Sequence, residues 1–202
     1  VGIGAAGTAV LLRNRGAEEA MRAGLRPQLP VDHLLLLEAL VVREDFGLAD
    51  VFGVSFDGRI EGPMQNSYLT LETDSATGRR HAVLVGLEDA PRIVNGVFRL
   101  QVKPRVAFPS PITLIPTYPD LPMEDVYPRI AKTDVRELYL REVGSARVAY
   151  VPWDIDRTFW DVMCVDHGLL LRNLIAWTAN EPPPVEVTGP GLVDVTMWRQ
   201  RE

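Results

Sequence analysis

The densest group of side chains that could do chemistry lies directly after a predicted strand, Arg147–Val151. The group consists of Trp153, Asp154, Asp156, Arg157 and Trp160. Aromatic faces stack on the C–H surfaces of sugars, and carboxylates and arginine bind hydroxyl groups, so these residues predict a carbohydrate or subunit contact. A structural corner, in which Arg157 pairs with Asp154 or Asp156 and both tryptophans pack inward, explains the same residues equally well.

A second group has the residue types of a thiol enzyme, namely Cys164, Asp166 and His167. A cysteine needs a nearby base to form the thiolate, and the base needs a carboxylate that orients it. Working triads draw their members from distant segments, whereas these three residues lie within four positions. The spacing therefore favours a half-buried thiol beside a helix start, where Asp166 caps the helix.

Catalytic residues and metal ligands are not expected in this chain. Asp154 and Asp156 lie on one short loop, whereas the acids of a glycosidase flank a sugar at roughly 5 to 9.5 Å and come from different strands. His33 and His81 are isolated, and a single cysteine excludes both an internal disulfide and a thiolate-rich zinc site built from this chain alone. The sequence predicts no metal and no cofactor.

A dinucleotide pattern, GxGxxG, occurs at residues 2–7. The pattern requires a strand before it and a strand that ends in an acidic residue about 20 residues later. Only Val1 precedes it, and no such second strand is evident. A Gly/Ala-rich helix or an effect of truncation explains these glycines better than nucleotide binding does.

Strands and a few helices must position these groups. A short helix is predicted over Gly47–Phe52 and ends at Gly53, and a strand around Tyr68–Glu72 is followed by turn residues Asp74–Gly78. Another strand is predicted over Val97–Val102. Five prolines within Phe108–Asp125 predict a long, extended surface crossing.

The second half contains the clearest predicted hairpin and the longest predicted helix. The hairpin pairs Val135–Leu140 with Arg147–Val151 through Glu142–Ser145, where Gly144 can take a positive φ. The helix spans about Asp166–Ala179, before three consecutive prolines. Alternating residues on both sides of Gly189–Gly191 predict two strands that begin a separate β-domain.

Composition and charge restrict the partners. The 202 residues carry 21 Lys and Arg against 27 Asp and Glu, for a net charge of −6, and no stretch alternates basic with aromatic residues. Nucleic acid is therefore not expected as a partner. No run approaches the ~20 apolar residues that span a bilayer, so no membrane is expected either, and the compartment is left open.

Several runs of residues resemble those of a known group of proteins. They are Asp45–Val54, Leu114–Arg129, Val151–Trp160, Leu170–Trp177 and Gly189–Gln200. They are similar to the β-galactosidase trimerisation-type domain of uncharacterised bacterial glycoside hydrolases. This domain belongs to the class I glutamine amidotransferase-like group. The resemblance covers the chain from about Asp45 to its end.

The resemblance implies a fold and a division into domains. The implied fold is α/β, a flavodoxin-like, class I glutamine amidotransferase-like three-layer domain that is incomplete at its N-terminus. Residues 1–44 would be a divergent or truncated segment, residues 45–181 the trimerisation-type domain, and residues 182–202 a linker and the start of a C-terminal β-domain. A TIM-barrel hydrolase domain would precede it in the same protein.

Three functions are compatible with these residues. The first is a non-catalytic accessory and oligomerisation domain of a glycoside hydrolase, self-associating as a trimer. The second is an amidotransferase-like thiol enzyme domain that uses Cys164, although the Gly-x-Cys-x-Gly turn of that group does not occur. The third is a stand-alone carbohydrate-binding module. The lack of a set of side chains that could activate a nucleophile favours the first.

Overall fold

The computed structural model describes residues 45–181, 185–189, 193–198 and 200. The GxGxxG pattern at residues 2–7 and the predicted divergent segment 1–44 lie outside the described residues. The predicted domain boundaries at 44/45 and 181/182 stay predictions.

Most of the regular structure consists of short strands, which are followed by helices at the end of the domain. The strands are β1 (Val54–Glu61), β2 (Tyr68–Leu71), β3 (Arg92–Val94), β4 (Arg99–Pro104), β5 (Ile112–Ile115), β6 (Tyr139–Val143) and β7 (Ala146–Tyr150). The α-helices are α1 (Ala49–Phe52), α2 (Ile155–Val162) and α3 (Val165–Ala179). Two short 3-10 helices span Ala82–Leu84 and Met123–Asp125.

All the strand pairs of the described residues are antiparallel. They form the ladders β1–β4, β3–β2–β5 and β6–β7. Isolated bridges link these ladders: Arg99 of β4 pairs with Trp153, just after β7, and Thr113 of β5 pairs with Arg136, just before β6. A chain of neighbouring strands therefore runs from β1 through β4, β7, β6, β5 and β2 to β3.

The predicted flavodoxin-like, three-layer α/β fold is wrong. Such a fold needs parallel strands joined by crossover helices on both faces of the sheet. Here β6 and β7 are joined by a tight turn, and the two helices longer than one turn in the described residues, α2 and α3, follow one another after the last strand. A run of strands followed by a run of helices is typical of an α+β arrangement.

Two local predictions rest on a glycine with positive φ, and both are confirmed. Gly53 caps α1 at φ 71°, and its N–H donates to the Ala49 carbonyl at 2.7 Å. A Cβ added at Gly53 would lie 2.5 Å from Nη1 of Arg141 and 3.0 Å from the Phe108 ring, so both crowding and the positive φ disfavour a side chain there. Gly144, at φ 61°, lies in the β6–β7 turn, where Val143 pairs with Ala146, so the first strand of the hairpin spans Tyr139–Val143 and not the predicted Val135–Leu140.

The predicted surface crossing over Phe108–Asp125 is wrong for its middle part. Ile112–Ile115 form β5, all four residues are buried, and the strand pairs with β2. The prolines at positions 109, 111 and 116 flank these four residues without interrupting them. Each proline thus lies where the strand needs no further N–H donor.

The long helix α3 was predicted to within one residue of its observed start. It buries His167, Leu170, Leu174 and Thr178, which recur every three or four positions and so lie on one face. The main core contains Leu170 and Leu174 together with residues from β2, β5, β6 and β7. The two strands predicted near Gly189 are absent from residues 185–189 and 193–198.

Candidate functional site

The predicted contact residues lie at a corner between β7 and α2. Trp153 is the first of them, and it points inward: its side chain is 2% exposed, and its indole N–H donates to the Glu137 carbonyl at 3.0 Å. Arg99 of β4 forms a bridge with the Trp153 backbone. Trp153 therefore anchors the corner to the core and does not face a ligand.

Asp154 is also buried, with only 3% of its surface exposed. Its Oδ1 accepts hydrogen bonds from the Phe98 N–H at 3.0 Å and from the Thr158 hydroxyl at 3.5 Å. Burial raises the pKa of Asp154, and the backbone hydrogen bond from Phe98 opposes that rise. The carboxylate therefore holds the chain before β4 against the start of α2.

Arg157 lies between two carboxylates of its own helix. Its Nη1 lies 3.9 Å from Oδ2 of Asp154, and its Nε lies 3.5 Å from Oδ2 of Asp161. The guanidinium carbon also lies 5.5 Å from the ring centre of Phe98. The pairing of Arg157 with Asp154, expected for a structural corner, is thus present at long range.

Asp156 and Trp160 complete the predicted group, and they lie on the outer side of the corner. Asp156 is partly exposed, and Trp160 is 74% exposed. The structure therefore divides the group: Trp153 and Asp154 turn inward, whereas Trp160 is presented to solvent. One half of the group fits the structural corner, and the other half fits a contact site.

Three exposed apolar residues follow Trp160 within five positions of the chain. Val162, Met163 and Val165, at the junction of α2 and α3, are each more than half exposed. We call Trp160 and these three residues the α2–α3 strip. Single exposed apolar residues are normal on a protein surface, but an aromatic side chain together with three such neighbours is typical of an interaction site.

The junction itself explains why these side chains point outward. Met163 takes the left-handed conformation, with φ 52°, and its N–H donates to the Phe159 carbonyl at 2.7 Å, which ends α2. Helix α3 begins two residues later. A Cβ added at Gly168 would lie 3.0 Å from the Phe159 ring, so α2 and α3 approach closely at that point. The tight turn leaves little room for its apolar side chains inside.

The structure does not assemble Cys164, Asp166 and His167 into a catalytic group. Cys164 precedes α3 and is partly exposed, whereas His167 is fully buried. Nε2 of His167 lies 2.8 Å from the Val94 carbonyl, and its ring centre lies 5.6 Å from that of Trp153. The imidazole is thus held inside the core, and none of the described hydrogen bonds involves the thiol.

A buried ion cluster that sequence reasoning missed joins three strand segments. Nη1 of Arg99 lies 2.5 Å from Oε2 of Glu61, and Nη2 of Arg99 lies 2.7 Å from Oε1 of Glu137. Gln101 donates a further hydrogen bond to Glu61. Arg99 is 6% exposed and Glu137 is fully buried. Glu61 and Arg99 are direct partners in the β1–β4 register, so a known register would have revealed this pair.

The two carboxyls of this cluster are shifted in opposite directions. Burial raises the pKa of Glu137 to about 8, although Arg99 opposes that rise. Burial also acts to raise the pKa of Glu61, but hydrogen bonds from Arg99 and Gln101 outweigh it and hold that pKa below its usual value. Opposite shifts in two carboxyls are one mark of an acid–base pair. Glu137 is closed off from solvent, however, so no substrate reaches it.

Two open clefts lie along the strands, and residues of the ion cluster line one of them. One, of about 700 Å³, has Glu61, Arg99 and Gln101 on its floor. The other, of about 510 Å³, contains an ion pair between Lys132 and Glu72 at 2.8 Å, and Glu72 also accepts a hydrogen bond from the Thr113 hydroxyl. In both clefts these charged groups already bind one another. They favour a structural role over catalysis.

Neither a metal site nor a membrane helix is found in the part of the chain that the structure describes. No group of three or more His, Cys, Asp or Glu side chains there could hold an ion. No helix among those residues combines the length and the apolar character needed to cross a bilayer.

No family model, no curated protein and no solved structure matches this chain.

Proposed function

We propose that this chain is a non-catalytic contact domain that binds other polypeptides through the α2–α3 strip. The observation that carries the proposal is the exposure of Trp160, at 74%, beside three exposed apolar residues. Tryptophan is among the residues most enriched at the energetic centres of protein interfaces. An apolar strip of this kind gains free energy when a partner covers it.

The side chains that could do chemistry are engaged in contacts within the protein, which supports the same proposal. Arg99, Glu61 and Glu137 bind one another, Asp154 accepts hydrogen bonds from Phe98 and Thr158, and His167 contacts a backbone carbonyl. A catalytic acid, base or nucleophile must reach a substrate. Among the described residues these groups serve the fold, whereas the side chains of the strip face outward.

The larger assembly that we propose is a glycoside hydrolase. In it the chain serves as an accessory and oligomerisation domain, beside a TIM-barrel domain of the same protein. This part of the proposal rests on the resemblance of the quoted sequence runs alone. This chain does not indicate which sugar such an enzyme acts on, because substrate specificity would lie in the barrel domain.

The proposal is tested by the size of the complex that contains the chain. We would express the tagged full chain in its source cells and measure sedimentation of the wild type, Trp160→Ser and Trp198→Ser. Trp198 is the matched control, since it is 91% exposed and lies outside the strip. We expect a complex for the wild type and Trp198→Ser and a monomer for Trp160→Ser. A complex of unchanged size in Trp160→Ser would contradict the proposal.

A carbohydrate-binding module is the second candidate, and the exposed ring of Trp160 favours it. A sugar could stack on that ring. Calorimetric titration of the chain with galactose, lactose and plant oligosaccharides separates the two functions. A contact domain gives flat titrations, whereas saturable heat that Trp160→Ser abolishes would establish the carbohydrate function instead.

A further inference from the structure

The α2–α3 strip lies among carboxylates. Asp156 precedes Trp160 by four residues, which places both on the same face of α2. Asp161 follows Trp160 directly and is exposed, and Asp166 lies in the first turn of α3, next to Val165. These three aspartates define what we call the acidic rim of the strip.

Little positive charge offsets this rim. Arg157 is the only lysine or arginine between residues 152 and 171. It already lies near Asp154 and Asp161, at 3.9 and 3.5 Å. His167 is buried inside the core. The segment that contains the strip, residues 152–171, therefore has four aspartates against one arginine.

This charge restricts what can cover the strip. Two copies related by a two-fold axis would bring their acidic rims together, and like charges that face each other disfavour an interface. A partner with positive charge around an apolar anchor would be attracted to the same surface.

A second copy of this chain offers no matching surface among its described residues. The exposed arginines there that precede α3 lie on separate elements: Arg59 on β1, Arg79 in the turn after β2, Arg92 on β3, Arg105 after β4, and Arg129 before β6, where it pairs with Asp125. The exposed basic residues Lys103 and Arg105 are paired with Asp57, Asp45 and Asp50. The positive partner is thus better sought in another polypeptide.

We infer that the α2–α3 strip binds a basic amphipathic segment of another polypeptide, whose apolar residues cover Trp160 and whose Lys or Arg residues contact Asp156, Asp161 and Asp166. This inference rests on the proposed function, since it names the partner of the same surface. The apolar contact supplies most of the affinity, and the acidic rim supplies selectivity and a dependence on salt.

Designed peptides of about 18 residues test this inference on the full chain. One alternates Leu and Lys at helical spacing, a second replaces Lys with Glu, and a third replaces Leu with Ser. Binding is measured by fluorescence anisotropy against the wild type, Trp160→Ser, and a rim variant in which Asp156, Asp161 and Asp166 are changed to Asn. A matched control changes Asp89, Asp120 and Asp194 to Asn, so that the net charge equals that of the rim variant.

We expect the Leu/Lys peptide to bind the wild type best, and both Trp160→Ser and the rim variant to weaken it by about tenfold or more. The control variant should change the affinity by less than about twofold, and raised salt should weaken the wild type. Equal losses in the rim and control variants, or tighter binding of the Leu/Glu peptide, would overturn the inference. Self-association of the purified chain that Trp160→Ser abolishes would also overturn it in favour of a second copy.

The outcome separates this inference from the proposed function. If Trp160→Ser disrupts the complex in cells but the Leu/Lys peptide fails to bind, the proposed function stands and the basic partner is wrong. If Trp160→Ser affects neither the complex nor the peptide, both are wrong.

Discussion

Two regions of this molecule bring together charged and aromatic side chains, and they use them in opposite ways. In the sheet, Arg99 binds both Glu61 and Glu137, and Arg99 and Glu137 are buried. At the α2–α3 strip, Trp160 and Asp161 face solvent. Residue types alone therefore do not identify a site. The buried cluster contains the side chains suited to acid–base chemistry, whereas the exposed side chains near Trp160 are the ones that a partner can reach.

The largest effect is expected from the two tryptophans that lie seven residues apart in the sequence. Trp153→Ala removes a fully packed side chain and should lower the free energy of unfolding by about 3–5 kcal/mol. Trp160→Ala removes an exposed one and should change it by less than about 0.5 kcal/mol. Chemical denaturation monitored by circular dichroism measures both. Equal effects of the two substitutions would contradict the inward and outward placement.

The next largest loss in the free energy of unfolding is expected at Arg99. Arg99→Met removes the partner of Glu61 and of buried Glu137, and we expect a loss of about 1–3 kcal/mol, less than for a broken buried ion pair because Glu137 can take up a proton. Arg59→Met on neighbouring β1 is the matched control, since Arg59 is exposed. Its effect should be below about 0.5 kcal/mol. A loss at Arg59 as large as that at Arg99 would show that burial of the cluster is not what matters.

The stability of the fold should depend on pH through Glu137. Its pKa is raised from 4.5 to about 8 in the folded protein, so folding favours the protonated carboxyl. The contribution of Glu137 is therefore complete below pH 4.5 and is lost as the pH rises to about 8, at up to about 1.4 kcal/mol per pH unit. Glu137→Gln cannot ionise and should lack this loss.

The difference between wild type and Glu137→Gln isolates this contribution. Burial lowers the pKa of His81 and raises that of Asp154, but both groups are present in both proteins. Denaturation at several pH values from 5 to 8 should show the wild type losing stability relative to the variant. Parallel curves would mean that Glu137 is ionised in the fold throughout this range.

The smallest effect is expected at Cys164. Cys164→Ala should leave both the stability and the size of the complex nearly unchanged, because His167 is held in the core and cannot activate the thiol. Sedimentation of the variant expressed in its source cells measures the size of the complex. Alkylation of the wild-type thiol by iodoacetamide measures its reactivity. Rapid alkylation near neutral pH would indicate a thiolate and would revive the thiol-enzyme hypothesis.

Local structure could be predicted from the sequence where a single residue or a strong period determines it. Gly53 and Gly144 mark a helix end and a hairpin turn, and the apolar period of α3 marks its buried face. The pairing of strands could not be predicted in this way. It depends on contacts between residues far apart in the chain, such as Arg99 with Trp153 and Thr113 with Arg136.

The fold class was wrong because it followed from the resemblance and not from the strands themselves. The implied fold needs parallel strands that alternate with helices, whereas the hairpin predicted from the turn at Gly144 is antiparallel. The site was predicted in part. The sequence identified the residues of the corner, but not which of their side chains point inward and which point outward. Whether Trp153 or Trp160 faces inward depends on the angle at which α2 leaves β7, which the sequence does not encode locally.

The central claim is that a partner polypeptide covers Trp160 when the chain is at work. Oxidative footprinting of the tryptophans measures this directly, in an extract of the source cells and after purification of the chain to homogeneity. We predict that Trp160 is protected several-fold in the extract and reactive in the purified chain, whereas Trp198 is reactive in both and Trp153 in neither. Equal reactivity of Trp160 in the two samples would contradict the account.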